Sequence, residues 1–434
     1  MKRRLIFDEI ALKDIISFVV DNRGKTVPVE DSGIPLIATA NISNSELYPS
    51  VDTDRYVSEE IYSNWFRSHP QVDDVILTNK GSKNGEVCLV PNPVEFCIAQ
   101  DMVALRANKK IIHSKYLFAS LRSSLVQKRI KLLNVDAVIP HFKKSDFDKL
   151  FIPLPSLDVQ EFIGQIYFDI SLRIELNRKT NETLEGVAKA LFKSWFVDFY
   201  PVKAKTEGRS TGLADEISEL FPDSYEDSEL GEIPSGWHIK SLDDIANFLN
   251  GLAIQKYPPK SEHTDLPVIK IAQLRKGNTL ESDQCSDEIG EEYVIRDGDI
   301  LFSWSGSLLV DIWTGGVGAL NQHLFKVTSD HYKKWFYYYW TKHHLQEFQS
   351  IAKSKATTMG HIQRRHLSEA KVLVPSDECF SKMSSVFDSL LERQLNIRLE
   401  SRTLTQLRDA LLPKLISGEL RVPDAKKILE EVGI

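Results

Sequence analysis

Residues 353–376 read KSKATTMGHIQRRHLSEAKVLVPS. The first fifteen of them hold four lysines and arginines and two histidines, although the whole chain carries a net charge of −7. A solvated surface run would account for the charge alone. It would not account for PHFKKSDFDKLFIPLPS at 140–156, which has the same layout: a histidine, paired cations, an apolar run and Pro-Ser. Three further stretches repeat in the same order. LKDII at 12–16 matches LDDIA at 242–246, IPLIATANI at 34–42 matches LPVIKIAQL at 266–274, and DVILTNKGS at 74–82 matches DILFSWSGS at 299–307. Kept order with an offset drifting only between 220 and 232 marks an internal duplication.

After Pro155–Ser156 and again after Pro375–Ser376 the apolar period changes from two to the four-and-three spacing of a long helix. The first stripe runs through Ile163, Ile166, Ile170, Arg173, Asn177, Thr180, Leu184, Val187 and Leu191. The second runs through Met383, Val386, Leu390, Arg393, Ile397, Glu400, Leu404, Leu407 and Leu411. A helix of about 40 residues is about 60 Å long, more than a small domain can cover. Two such helices in one chain are expected to pack on each other as an antiparallel coiled coil, with their polar middles fixing the register. Docking of each helix on its own domain is the alternative.

The expected fold class is therefore mixed α/β (α+β): two similar domains separated by a two-helix spacer, related by a pseudo-twofold. The expected boundaries are 1–154 for the first domain, 155–200 for the first helix and 201–235 for an acidic linker. The second domain follows at 236–374, the second helix at 375–420 and a tail at 421–434.

Charge is unevenly spread. Residues 201–232 carry three basic and nine acidic side chains, which leaves a net of only −1 for the rest of the chain. Residues 102–135 hold eight Lys/Arg and no acid, and 331–368 hold seven against Glu347. Two basic patches at corresponding places fit a nucleic acid partner. Four cysteines without metal-ligand spacing and apolar runs far short of about 20 residues point to a reducing, cytoplasmic setting with no membrane partner.

Signatures of phosphate-binding, dinucleotide-binding, nucleophile-elbow and zinc-hydrolase sites are absent, so neither a catalytic nor a metal site is expected. The run WFYYYW at 335–340 is read as a buried helix, because its counterpart YLFASL at 116–121 is merely apolar. TNKGSKNGE at 78–86 and SWSGSLL at 303–309 follow strand-like runs. They are either ordinary turns or loops that approach DNA, projecting Lys80, Ser82, Lys83, Asn84, Trp304, Ser305 and Ser307. Gln100, Gln322 and His323 are candidate base readers. Lys353, Lys355, Arg364 and Arg365 suit phosphates, with Thr357, Thr358 and Gln363 as hydrogen-bonding neighbours and Gly360 allowing close backbone approach. His361 recurs as His141, beside Lys143 and Lys144.

With the repeat, the seam and the patches in place, the chain resembles the specificity subunits of type I restriction-modification systems. The resemblance rests on ALFKSWFVDFYPVKAKTEG (190–208), ELGEIPSGW (229–237), ATTMGHI (356–362) and LRDALLPKLISGEL (407–420). It implies two target-recognition domains, each reading half of a split site in double-stranded DNA. It further implies helices that dock two methyltransferase subunits, with restriction subunits in the full complex. S-adenosylmethionine, ATP and Mg would belong to those partners and no cofactor to this chain. A non-catalytic two-headed scaffold for protein or RNA is the alternative function.

Overall fold

The computed structural model describes residues 7–21, 25–134, 140–260, 264–354 and 360–431. The chain forms two compact units, one of residues 1–176 with 403–434 and the other of 177–402.

In the first unit a four-stranded antiparallel sheet runs in the order Ile16–Asp21, Met102–Ala107, Val75–Thr78, Val87–Leu89. In the second unit the same order recurs as Asn247–Asn250, Leu324–Thr328, Ile300–Ser303, Val310–Ile312. Each domain also has a second sheet, of three strands in the first and four in the second, with one parallel pair, Ile34–Ile37 with Cys97–Ile98 and Leu266–Ile269 with Gly318–Leu320. In each, strands from the two ends of the domain pair: Glu9–Ala11 with Phe151–Pro153, and His238–Ser241 with Lys371–Val374. The matched stretches DVILT and DILFS are central strands. All four residues of Val75–Thr78 and of Ile300–Ser303 are buried, which is why their apolar runs do not alternate. The duplication seen in the sequence is thus a duplication of mixed α/β topology.

Apolar on all sides, WFYYYW forms the start of the helix Lys334–Ser354, with Trp335 through Thr341 all buried. YLFASL is equally buried in the helix Ser114–Arg122.

The long helices are Leu157–Phe192, continued by a π-helical turn at Lys193–Val197, and Asp377–Ser417. In the first unit Ile163, Tyr167 and Ile170 share a core with Leu411, Leu412 and Leu415. In the second unit Phe192, Trp195 and Phe196 share one with Met383, Phe387 and Leu391. The start of one helix packs with the end of the other in both places, as an antiparallel pair requires.

The seam differs from the expected one by a residue at alternate positions. Tyr167, Ala188, Phe192, Phe387, Leu391 and Gln394 are buried, whereas Arg173, Thr180, Val187 and Arg393 are exposed. Where two apolar residues adjoin, as in Ile166–Tyr167, Val386–Phe387 and Leu191–Phe192, the aromatic ring takes the interior because it removes more area from water. Of the polar middle positions, Asn177 is buried, and Gln394 takes the place expected for Arg393.

The segments read from the sequence as an acidic linker and a tail are both packed. Residues 201–235, expected as a linker, form the helix Tyr200–Thr206 and a hairpin of Tyr225–Ser228 with Gly231–Pro234. Val202, Leu220, Phe221 and Ile233 from this segment enter the core of the second unit. The acidic side chains lie outward on a chain held by apolar anchors. The tail contains the helix Val422–Glu431, whose Ala425 and Leu429 are buried in the first unit.

Ionic contacts hold the second long helix to the second domain. Arg398 Nη1 lies 2.8 Å from Asp311 Oδ1, and Arg402 grips Asp297 through two bonds of 2.7 and 2.8 Å. Burial alone would raise the Asp297 carboxyl. The Arg402 guanidinium and the Gly316 N–H outweigh it and hold the group below the usual carboxylate range. Its folded pKa therefore lies below the unfolded value of about 3.9, so the pair stabilises fully above that pH and fades as pH falls through the folded pKa. Arg402→Ala is expected to lower unfolding stability by about 1–2 kcal/mol at pH 7. The deficit relative to the parent should shrink below about pH 4. Urea unfolding at pH 7 and pH 3 checks this, and an equal deficit at both would exclude the ion pair as its source.

Candidate nucleic-acid interface

The loop after the central strand and the segment carrying the recurring histidine meet in both domains. An isolated antiparallel bridge joins Lys80 to His141 in the first and Ser305 to His361 in the second. Around it the backbone bonds correspond one for one. Gly81 N donates to Pro140 O at 2.9 Å, and Gly306 N donates to Gly360 O at 2.8 Å. Phe142 N donates to Asn79 O at 2.9 Å, and Ile362 N donates to Trp304 O at 3.0 Å. Gly81 and Gly306 hold φ of 87° and 66°, left-handed values that let the chain turn back to make these bonds. Two stretches some 60 residues apart in sequence thereby form one surface in each copy.

The start of the neighbouring strand adds a third element. Asn79 N donates to Asp101 O at 3.0 Å, and the Lys80 ammonium lies 3.7 Å from the Asp101 carboxylate. At the corresponding place Ser305 Oγ is 2.9 Å from His323 Nδ1. Asp101 was not among the sequence candidates. Its position beside Gln100 in the first copy, where Gln322 and His323 stand in the second, was the available signal.

Several candidates lie at the surface. Lys80, Ser82, Lys143, Ser307, Lys353, His361, Gln363 and Arg365 are exposed. Others are bound to their own domain. Lys83 donates to Ile42 O at 3.2 Å, Asn84 Nδ2 to Asn134 Oδ1 at 2.5 Å, and Gln100 Nε2 to Thr26 Oγ1 at 3.5 Å. Lys144 pairs with Asp21. Trp304 does not project. Its Nε1 donates to Asn250 Oδ1 at 3.0 Å, and its ring packs beside Phe325, His323 and His361. Arg364 donates to Phe248 O at 3.2 Å and lies over the Phe325 ring. Gln322 is half-buried beside His323. Lys355, Thr357 and Thr358 lie outside the described residues.

Gly360 serves a different end from the one expected. A Cβ there would stand 2.4 Å from Ala352 O, so the glycine admits the protein's own helix rather than DNA. Beside it a cleft of about 470 Å³ is lined by Lys353, Ser307, Arg275 and Gln349. Arg275 and Gln349, from two different helices, add a cation and an amide that the sequence patterns did not single out. Among the described residues no three His, Cys, Asp or Glu side chains converge as a metal site, and no helix is long and apolar enough to cross a membrane.

Each of the two repeated domains thus carries an equivalent loop-and-histidine surface flanked by cations. A family model described as the type I restriction modification DNA specificity domain matches the chain twice, at residues 7–186 and 234–405. The chain belongs to that family. The MjaIX type I restriction enzyme specificity subunit of Methanocaldococcus jannaschii is 28% identical over 404 residues, covering 90% of this chain and 88% of its own. The HindI specificity subunit of Haemophilus influenzae is 24% identical over 400 residues, covering 80% and 86%. A crystal structure of the type I restriction-modification S subunit from M. genitalium superposes with a TM-score of 0.54 at 16% identity. It covers 96% of this chain and 97% of that one, a likeness of fold.

Proposed function

We propose that this chain is the non-catalytic DNA-specificity subunit of a type I restriction-modification complex. Residues 1–154 read one half of a split duplex site and residues 236–374 the other. The two long helices dock two methyltransferase subunits, and restriction subunits join the full complex. S-adenosylmethionine, ATP and Mg belong to those partners. The observation that carries this reading is the recurrence of one surface, Lys80–His141 and Ser305–His361, in a chain that the specificity-domain model matches twice. A scaffold for unrelated proteins gives no reason for two equivalent cation-flanked surfaces.

Binding to duplex DNA should weaken steeply with salt, because each neutralised phosphate releases counterions. Lys353→Ala and Arg365→Ala should each reduce the slope of log affinity against log salt by about 1 and leave sequence preference nearly intact. Arg364→Ala should affect folding more than slope, since its guanidinium is committed to Phe248 O and the Phe325 ring. Anisotropy titrations of the full chain over a salt series test this. Lost sequence discrimination at an unchanged slope would contradict the assignment to phosphates. Equal affinity for RNA, protein and duplex DNA ligands would sink the functional reading.

A further inference from the structure

We propose that Asp101 reads a base: its carboxylate accepts a hydrogen bond from an exocyclic amino group, N4 of cytosine or N6 of adenine, in the major groove of the first half-site. This inference rests on the DNA-reading function above and adds to it a residue and the chemistry it recognises.

Asp101 stands at the loop-and-histidine surface, with its backbone carbonyl bound by Asn79 N and its carboxylate 3.7 Å from Lys80. Both side chains are open to solvent, at 40% and 45% exposure, and so can meet a ligand. An exposed ion pair of this kind contributes little to stability, so stability does not account for an acid here. Nor does phosphate binding, because a carboxylate repels the DNA backbone. The left-handed backbone, φ 73°, suits aspartate, but asparagine or glycine would serve that turn as well.

What a carboxylate alone brings to this face is a charged pair of acceptors and no donor. In the major groove the complementary groups are the amino hydrogens of cytosine and adenine. Lys80 lies where it restrains the carboxylate and offsets its repulsion from the flanking phosphates. The other copy supports a reading role for the position. There the same two places hold Ser305, which is buried, and His323, whose Nδ1 lies 2.9 Å from the Ser305 hydroxyl, so the chemistry differs between the copies. A position that keeps its place beside the loop, while its backbone and its side-chain chemistry both change, is suited to distinguishing one half-site from the other.

The test uses the full chain with its methyltransferase subunits. Methylated sites are sequenced for the parent and for Asp101→Ala, and duplexes lacking single amino groups are titrated, with purine replacing adenine or 2-pyrimidinone replacing cytosine. In Asp101→Ala one position of the first half-site should become degenerate, its discrimination falling about 10- to 100-fold. The second half-site should be unchanged, and the other positions of the first half-site should be read as before, which reports that the domain carrying the variant is folded. Affinity for unrelated duplex should hold or rise, because a negative charge has gone from the face. The parent should lose a similar factor on one amino-deleted duplex. The assignment is overturned if Asp101→Ala keeps the full motif or weakens all duplexes alike. It is overturned independently of the variant if the parent tolerates every single amino deletion in the first half-site. A parent chain with no sequence preference at all overturns the functional reading itself.

Discussion

Exchanging residues 236–374 for the corresponding domain of another family member is expected to rewrite one half of the methylated motif and leave the other half as it was. The loop, the histidine segment and the strand start that form the second surface all come from within that stretch. No side chain of the first surface is altered by the exchange. The second unit also limits which donors will work. Its core is completed by Phe192, Trp195 and Phe196 from the end of the first long helix and by Met383 and Phe387 from the second. A donor domain must offer aromatic side chains where Trp335, Phe336 and Trp340 stand, or carry its own helix residues with it. Overpacking or cavities at such a boundary cost about 1–5 kcal/mol, enough to unfold a marginal chimera. Sequencing methylated sites in cells with the parent and with the chimera decides the matter. A change in both halves would mean that the two surfaces do not read independently.

How much of this was legible in the sequence depends on what kind of order was sought. The duplication could be read because it is preserved as residue order. It matched the corresponding segments of the two copies, whereas the strand pairing and the meeting of TNKGS with PHFKK and of SWSGS with GHIQRR came only from the fold. The pairing of the two long helices followed from their length, and its antiparallel sense from the whole domain that connects them. The seam register did not, because a four-and-three spacing admits Ile166 or Tyr167, and only packing volume decides between them. The packing of 201–235 was hidden by its nine acidic side chains, which mask the anchors Val202, Leu220, Phe221 and Ile233. The family-like motif around Phe192, Trp195 and Phe196 turns out to be core. Its apolar residues bury against the second domain, so what reads as a signature is an interface within one unit. Side-chain commitment was the least legible property. Lys144 and Arg364 look as free as Lys143 and Arg365 in sequence, yet the fold brings Asp21 and Phe248 O to the first two.

Trp335→Ala should be the most damaging single substitution in the second unit, because its indole is where three elements close on one another. Trp335 is fully buried, stacked on Phe387 at a ring separation of 4.5 Å and on Phe380 at 5.6 Å, with Phe196 at 5.7 Å. Its Nε1 donates to Ser384 Oγ at 3.1 Å. Truncation removes the one ring that stacks on the second long helix and also touches the end of the first, and the expected loss is about 3–5 kcal/mol. The hydroxyl left behind adds little, since Ser384 still donates to Phe380 O at 2.7 Å. Trp335→Phe keeps a ring in the stack and gives up the N–H, so about 1–2 kcal/mol is expected there. The loss should be local. Amides in the strands Ile300–Ser303 and Leu324–Thr328 should lose exchange protection, while those in Val75–Thr78 and Met102–Ala107 keep theirs. Discrimination at the second half-site should fail at temperatures where the first is still read. Equal loss of protection in both sets of strands would show that the two units unfold as one, and a deficit below about 1 kcal/mol would show that the aromatic stack does not hold this domain to its helices.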